Sequence, residues 1–152
     1  MVASNDLSTK GFCVMPRLAA VHYRLFEHEQ QAIDAAHIAE THDFGGELAL
    51  TFHDGLRSFI SWTSEPVQYA VGIGGRSHFR PDASLADYDV SHSRMWVGLI
   101  GKEIKMEYSA ADDQILRIAS ADDHVLVCSL ERGNWWADEL TICKQAPAPY
   151  PE

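Results

Sequence analysis

The sequence predicts a mainly β fold of the α+β class: a twisted antiparallel sheet or partly open barrel of about seven or eight strands, with one or two short helices. Three observations predict it. Two short apolar runs, Ile115–Ala121 and His124–Leu130, flank Asp122-Asp123, and a third, Glu139–Cys143, follows a Glu-Arg-Gly-Asn turn. Glu47–Trp62 places Leu48, Leu50 and Phe52 on one face before Asp54-Gly55, a pair suited to a two-residue hairpin turn. Arg17–Phe26 and Lys102–Tyr108 alternate in the same way, as half-buried strands do.

At 152 residues, 46% apolar and 22% charged, the chain fits one domain able to bury a core. Its expected bounds are a disordered N-terminus over residues 1–10, a single β-rich domain over 11–144, and a tail over 145–152. Pro147, Pro149 and Pro151 bar that tail from a sheet.

Taken in order, Gly11–Met15 is a short apolar piece stopped by Pro16. Arg17–Phe26 reads as a strand with Val21, Tyr23 and Leu25 on one face, with a helix as the competing reading. His28–Glu40 has the alanines and glutamines of a helix, but Ala32, Ile33 and Ala36 make only a thin stripe, so a short surface helix or ordered insertion is expected. Thr41–Gly46 reads as a loop. In the hairpin that follows, a two-residue turn sets Leu50 opposite Phe59 and Leu48 opposite Ser61. Val67–Ile73 is the next strand and Gly74–Ala86 a loop; one or two helical turns around Asp82–Gly98 would carry Leu85, Met95 and Trp96. Lys102–Tyr108 then puts Ile104, Met106 and Tyr108 on one face, ahead of the terminal meander.

The two hairpins also suggest an internal repeat of two hairpin-based halves. A shift of 68 positions sets Asp54 on Asp122, Leu48 on Leu116, Leu50 on Ile118 and Phe59 on Val127. Alternation and Asp turns are common, so chance explains the match as readily as duplication. The fold class needs only the strands.

Charge narrows the function. Twenty-two acidic residues against 12 basic give a formal net of −10. That balance opposes nucleic acid and anionic lipid, both of which need a positive face. No apolar run approaches the roughly 20 residues of a membrane helix, and the start lacks the layout of a signal peptide. Cys13, Cys128 and Cys143 are odd in number and unpatterned, which suits a reducing compartment. Excess negative charge aids solubility on the plain reading; on the sharper one it attracts a basic protein partner.

No motif names a reaction. The eight histidines include His37 and His42 beside Asp43, but no H-x₃-H or C-x₂-C pair, so no metal and no cofactor is expected. Gly72–Ser77 resembles a phosphate loop until His78-Phe79-Arg80-Pro81 follows, where no helix starts. Cys128 inside an apolar run is an inert buried thiol, and a hairpin on Gly133-Asn134 would set it near Glu139 and not opposite Cys143. Asp112-Asp113 and Asp122-Asp123 are turn formers before they are catalytic pairs. Trp135-Trp136 would point one indole into the core and one outward, ringed by Glu131, Asp138 and Glu139. Exposed tryptophans often anchor interfaces, and carboxylates around one favour a cationic partner.

The runs ELALTFHDGLRSFISW, GKEIKMEY and LERGNWWADELTIC, from Glu47 to Cys143, resemble the layout of small acidic bacterial immunity proteins, which are encoded beside secreted antibacterial toxins. The resemblance is one of pattern and composition. It implies a non-enzymatic, cytoplasmic, strand-rich protein that binds its cognate toxin and covers the active site. The expected partner surface comprises Asp112, Asp113, Asp122, Asp123, Glu131, Trp135, Trp136, Asp138 and Glu139. A small-ligand- or metal-binding β domain is the alternative, and a free sheet edge leaves homo-oligomers open.

Overall fold

The computed structural model describes residues 16–27, 41–63, 70–109, 115–129 and 140–145. Among them run ten strands: β1 (Leu18–Phe26), β2 (Thr41–Phe44), β3 (Glu47–Phe52), β4 (Arg57–Thr63), β5 (Ala70–Gly74), β6 (Leu85–Asp89), β7 (Lys105–Tyr108), β8 (Ile115–Ala119), β9 (His124–Cys128) and β10 (Leu140–Cys143). They form two five-stranded antiparallel sheets, ordered β5-β4-β3-β1-β6 and β2-β10-β9-β8-β7, which do not close into a barrel. The mainly β antiparallel fold is thus the one the alternation predicts. Residues 1–15, the helix expected over His28–Glu40, and 146–152 lie outside the described residues.

Alternation decides what each sheet buries. On β1, Val21, Tyr23 and Leu25 face inward while His22, Arg24 and Phe26 face out half-covered. Leu48, Leu50 and Ile60 complete that side of the core; Leu116, Ile118, Val127 and Ile142 supply the other, all in one cluster. Each such side chain contributes roughly 1.5–3 kcal/mol relative to exposure.

Four strands of each sheet stand in sequence order: β1-β3-β4-β5 in the first, with β2 placed in the other sheet, and β7-β8-β9-β10 in the second. This is the repeated order of alternating run, hairpin and further strand. The fifth strands break the symmetry, β6 beside β1 and β2 beside β10.

Several local expectations shift. The hairpin register is off by one: Leu48 pairs with Ile60 and Leu50 with Ser58. The turn has three residues, not two, since Phe52 N–H bonds Leu56 O and Gly55 N–H bonds Phe52 O, both at 2.9 Å. Gly55 sits at φ 90°, the left-handed position that closes such a loop. Thr41–Phe44 is a strand, not a loop, because β10 satisfies its backbone. Among the described residues there is no helix around Asp82–Gly98. Leu85–Asp89 is strand β6, and residues 90–101 form a run of turns that buries Met95, Trp96 and Leu99. The Ser91 hydroxyl causes that change of path, accepting the Val21 N–H at 2.9 Å where the ladder would continue.

Two devices hold the sheets in relation. Gly45-Gly46 carries the chain from β2 in one sheet to β3 in the other, and a Cβ at Gly46 would overlap the Arg24 carbonyl oxygen. The second is a buried hydrogen-bond chain. Trp96 Nε1 donates to the Tyr23 hydroxyl at 2.8 Å, and the same hydroxyl is hydrogen-bonded to His42 Nδ1 at 2.5 Å. Burial drives the Tyr23 hydroxyl far above its ordinary pKa, the bond from Trp96 opposing it only in part.

Two outcomes are expected in urea denaturation. Gly46→Ala forces a backbone shift and lowers stability by about 2–3 kcal/mol. Tyr23→Phe strands two buried nitrogens and costs about 2 kcal/mol; an unchanged midpoint for either variant would contradict the account of that residue.

Candidate functional site

Strand direction sorts the connections to two ends of the sandwich. The β3–β4 turn and the β8–β9 turn lie at one, the Asp54 end. There His53 N–H bonds Arg17 O at 2.9 Å, Arg17 Nη1 reaches Gly101 O at 2.8 Å, and Lys102 Nζ stands 3.9 Å from Asp122 Oδ2. At the other, the Gly46 end, lie Thr63 with Ala70, Tyr108 with Ile115, and Cys128 with Leu140. Trp62 Nε1 and Ser61 Oγ bond the carbonyls of Gly45 and Gly46 there.

Two of the expected partner residues, Asp122 and Asp123, are among the described residues. Asp112, Asp113, Glu131, Trp135, Trp136, Asp138 and Glu139 lie outside the described residues, and the strand ends that flank their segments are all at the Gly46 end. Asp122 and Asp123 stand at the Asp54 end, about 17 Å along a five-residue strand from those strand ends.

Of the Asp122-Asp123 pair only one carboxylate is displayed. Asp122 is 71% exposed. Asp123 is held by Lys144 Nζ at 3.2 Å, takes the His124 N–H at 2.8 Å, and packs over Gly98. The Ser120 hydroxyl accepts the Asp123 N–H at 3.1 Å and fixes the turn. Two residues missed by sequence reasoning share this end: Leu56, 68% exposed, and Val97, 53% exposed. Leu56 looked like the first residue of a returning strand; it closes the turn by accepting the Phe52 N–H, and its side chain stays in solvent just before β4 begins.

The outer face of the first sheet carries a different cluster. The Glu47 carboxylate is fully buried, yet it is partnered on both oxygens: Arg24 pairs with it, Ser77 Oγ donates at 2.5 Å and His78 N–H at 2.9 Å. Arg24 also meets Asp87 at 3.0 Å, and both Arg24 and Arg57 lie over the Phe59 ring. His78 Nε2 donates to Phe59 O at 2.8 Å, and Phe79 meets Phe26 edge-on at 5.3 Å. With its charge met by Arg24 and its oxygens bonded to Ser77 and His78, Glu47 acts as the latch that lays 77–79 on the sheet.

Excess charge is unevenly placed. The described residues hold eleven of the 22 carboxylates but ten of the 12 cationic side chains. The strands and their tight turns are thus nearly neutral. The surplus belongs to the termini and to 28–40, 64–69, 110–114 and 130–139. Among the described residues no three His, Cys, Asp or Glu side chains gather as a metal site requires, and none forms a helix long and apolar enough to cross a membrane. Cys128 and Cys143 are buried, Cys128 opposite Thr141 and Cys143 opposite Leu126. Compared with protein-family models, curated proteins and solved structures, the chain matches none.

Glu47→Ala is expected to cost about 3 kcal/mol, because it leaves a half-buried guanidinium without its anion. The double variant with Arg24→Ala should recover part of that, giving a coupling energy of about 1–3 kcal/mol in a denaturation cycle. Strict additivity would remove the latch.

Proposed function

We propose that the chain is a non-enzymatic cognate inhibitor, a protein that binds a basic toxin and covers its active site, as the small acidic bacterial immunity proteins it resembles do. The observation that carries this reading is the distribution of charge. A balanced double sheet bears acidic segments, and three of these, 64–69, 110–114 and 130–139, are flanked by strand ends on one side of the molecule. Together the three hold six carboxylates, one arginine and the Trp135-Trp136 pair. Charge at such a surface accelerates encounter with a cationic cleft, while a desolvated indole slows departure. Asp122 and Asp123 then fall outside the main contact, although they belong to the same acidic character.

The test pairs the purified chain with the toxin-domain protein encoded beside it. Inhibition is expected, with association slowing steeply as salt rises. Asp112→Lys with Asp113→Lys should weaken binding about tenfold or more and flatten the salt dependence, whereas Asp122→Lys alone should change affinity about twofold or less. Equal effects at the two ends would overturn the assignment of the surface; a neighbour that is neither bound nor inhibited would count against the inhibitor reading itself.

A further inference from the structure

The four sheet edges are not equally open. On β5 the outward Val71 carbonyl already accepts the Tyr108 hydroxyl at 2.7 Å. β2 and β7 have four residues each. β6 is different. Val90 N–H bonds Val21 O at 2.9 Å, which fixes the ladder phase: Ala86 and Tyr88 bond β1, so the N–H and C=O groups of Asp87 and Asp89 point off the sheet. Those groups have no backbone partner among the described residues.

Side chains along this edge are sorted by face. Asp87 and Asp89 stand on the outer face and are exposed; Tyr88, on the inner face, is partly buried against the core. Asp87 meets Arg24 and Arg57 at its inner side, and half of it remains open. Burial works against the charge on Asp89, but hydrogen bonds from Ser91 and the imidazoles of His22 and His92 outweigh it and keep the carboxyl below its usual range.

We infer that β6 accepts an extended basic segment of another polypeptide by strand addition, with Lys or Arg opposite Asp87 and Asp89 and apolar residues opposite Ala86 and Tyr88. Backbone bonds to the outward amides supply register, and cross-strand charge pairs choose the sign of the partner. A second copy of this chain is disfavoured on the same grounds. Two-fold pairing centred on Asp87 or on Tyr88 sets carboxylate against carboxylate, which destabilises a ladder. The inference uses only the lateral edge, so it stands apart from the acidic segments at the Gly46 end.

The test uses the full chain and three capped peptides: Lys-Val-Lys-Val-Lys-Val-Lys, the same sequence N-methylated at alternate residues, and its Glu-for-Lys counterpart. Amide hydrogen exchange and nitrogen–proton spectra are read at Asp87 and Asp89. Saturating Lys-Val peptide should slow exchange at both amides by about tenfold or more, with affinity lost about tenfold on N-methylation and absent for the Glu peptide. Asp87→Asn with Asp89→Asn should weaken the Lys-Val peptide while leaving the spectrum folded; Asp89→Asn alone, which keeps the Arg24 contact, guards against a folding defect. Undiminished exchange, equal binding of the N-methylated peptide, no binding of any peptide, or a dimer joined through β6 would each overturn it.

Discussion

One hydroxyl, that of Tyr23, ties together three pieces of chain that no ladder joins. β1 belongs to one sheet, β2 to the other, and Trp96 to the run of turns between β6 and β7; all three meet at Tyr23 Oη. Buried polar atoms must find partners, so this knot accepts very few rearrangements. A purely apolar layer would let the sheets slide, since hydrophobic burial is non-directional. The Tyr23 ring adds area as well, stacked at 4.5 Å on Phe44. With the sheets fixed, the strand ends are fixed too, and so are the places where the connections leave.

Much of the fold was legible because period-two alternation is a local property. Val21, Tyr23 and Leu25 declare β1, and the runs on either side of Asp54-Gly55 and Asp122-Asp123 declare their hairpins. What escaped depended on distant partners. Thr41–Phe44 is short and runs into two glycines, as loops do. Only β10 makes it a strand, helped by the Thr141 hydroxyl on Asp43 at 2.6 Å, across 98 residues. Leu85–Asp89 was hidden by its own turn-forming aspartates, which here sit on an edge. The register error came from one residue: Gly55 takes a left-handed φ that neither sequence nor composition distinguishes from the glycine of a two-residue turn.

The chemistry of the expected site was legible in the sequence; its placement depends on strand direction. Acidic turns and paired tryptophans can be seen in the sequence, but which strand ends their segments leave from cannot. Each hairpin sends its connection to the opposite end from the last, so Asp122 stands a strand's length from the strand ends that flank 110–114 and 130–139. Exposed Leu56 and Val97 carry no sequence signal at all, because aliphatic residues announce burial by default.

On the proposed reading, the acidic excess serves a partner as well as solubility. A chain selected only to stay dispersed has no reason to concentrate like charge, since repulsion costs least when it is spread. Here the strand surfaces pair their charges, as in Arg24 with Asp87, Arg17 with Glu103 and Lys105 with Glu107. The acidic excess of the sequence belongs to the residues outside these described strands. Pairing on the framework keeps the sheets from paying for self-repulsion. On the proposed reading, a cationic surface would be drawn toward the acidic segments and not toward the balanced strands, which is where an inhibitor that works by coverage would need its contact to begin.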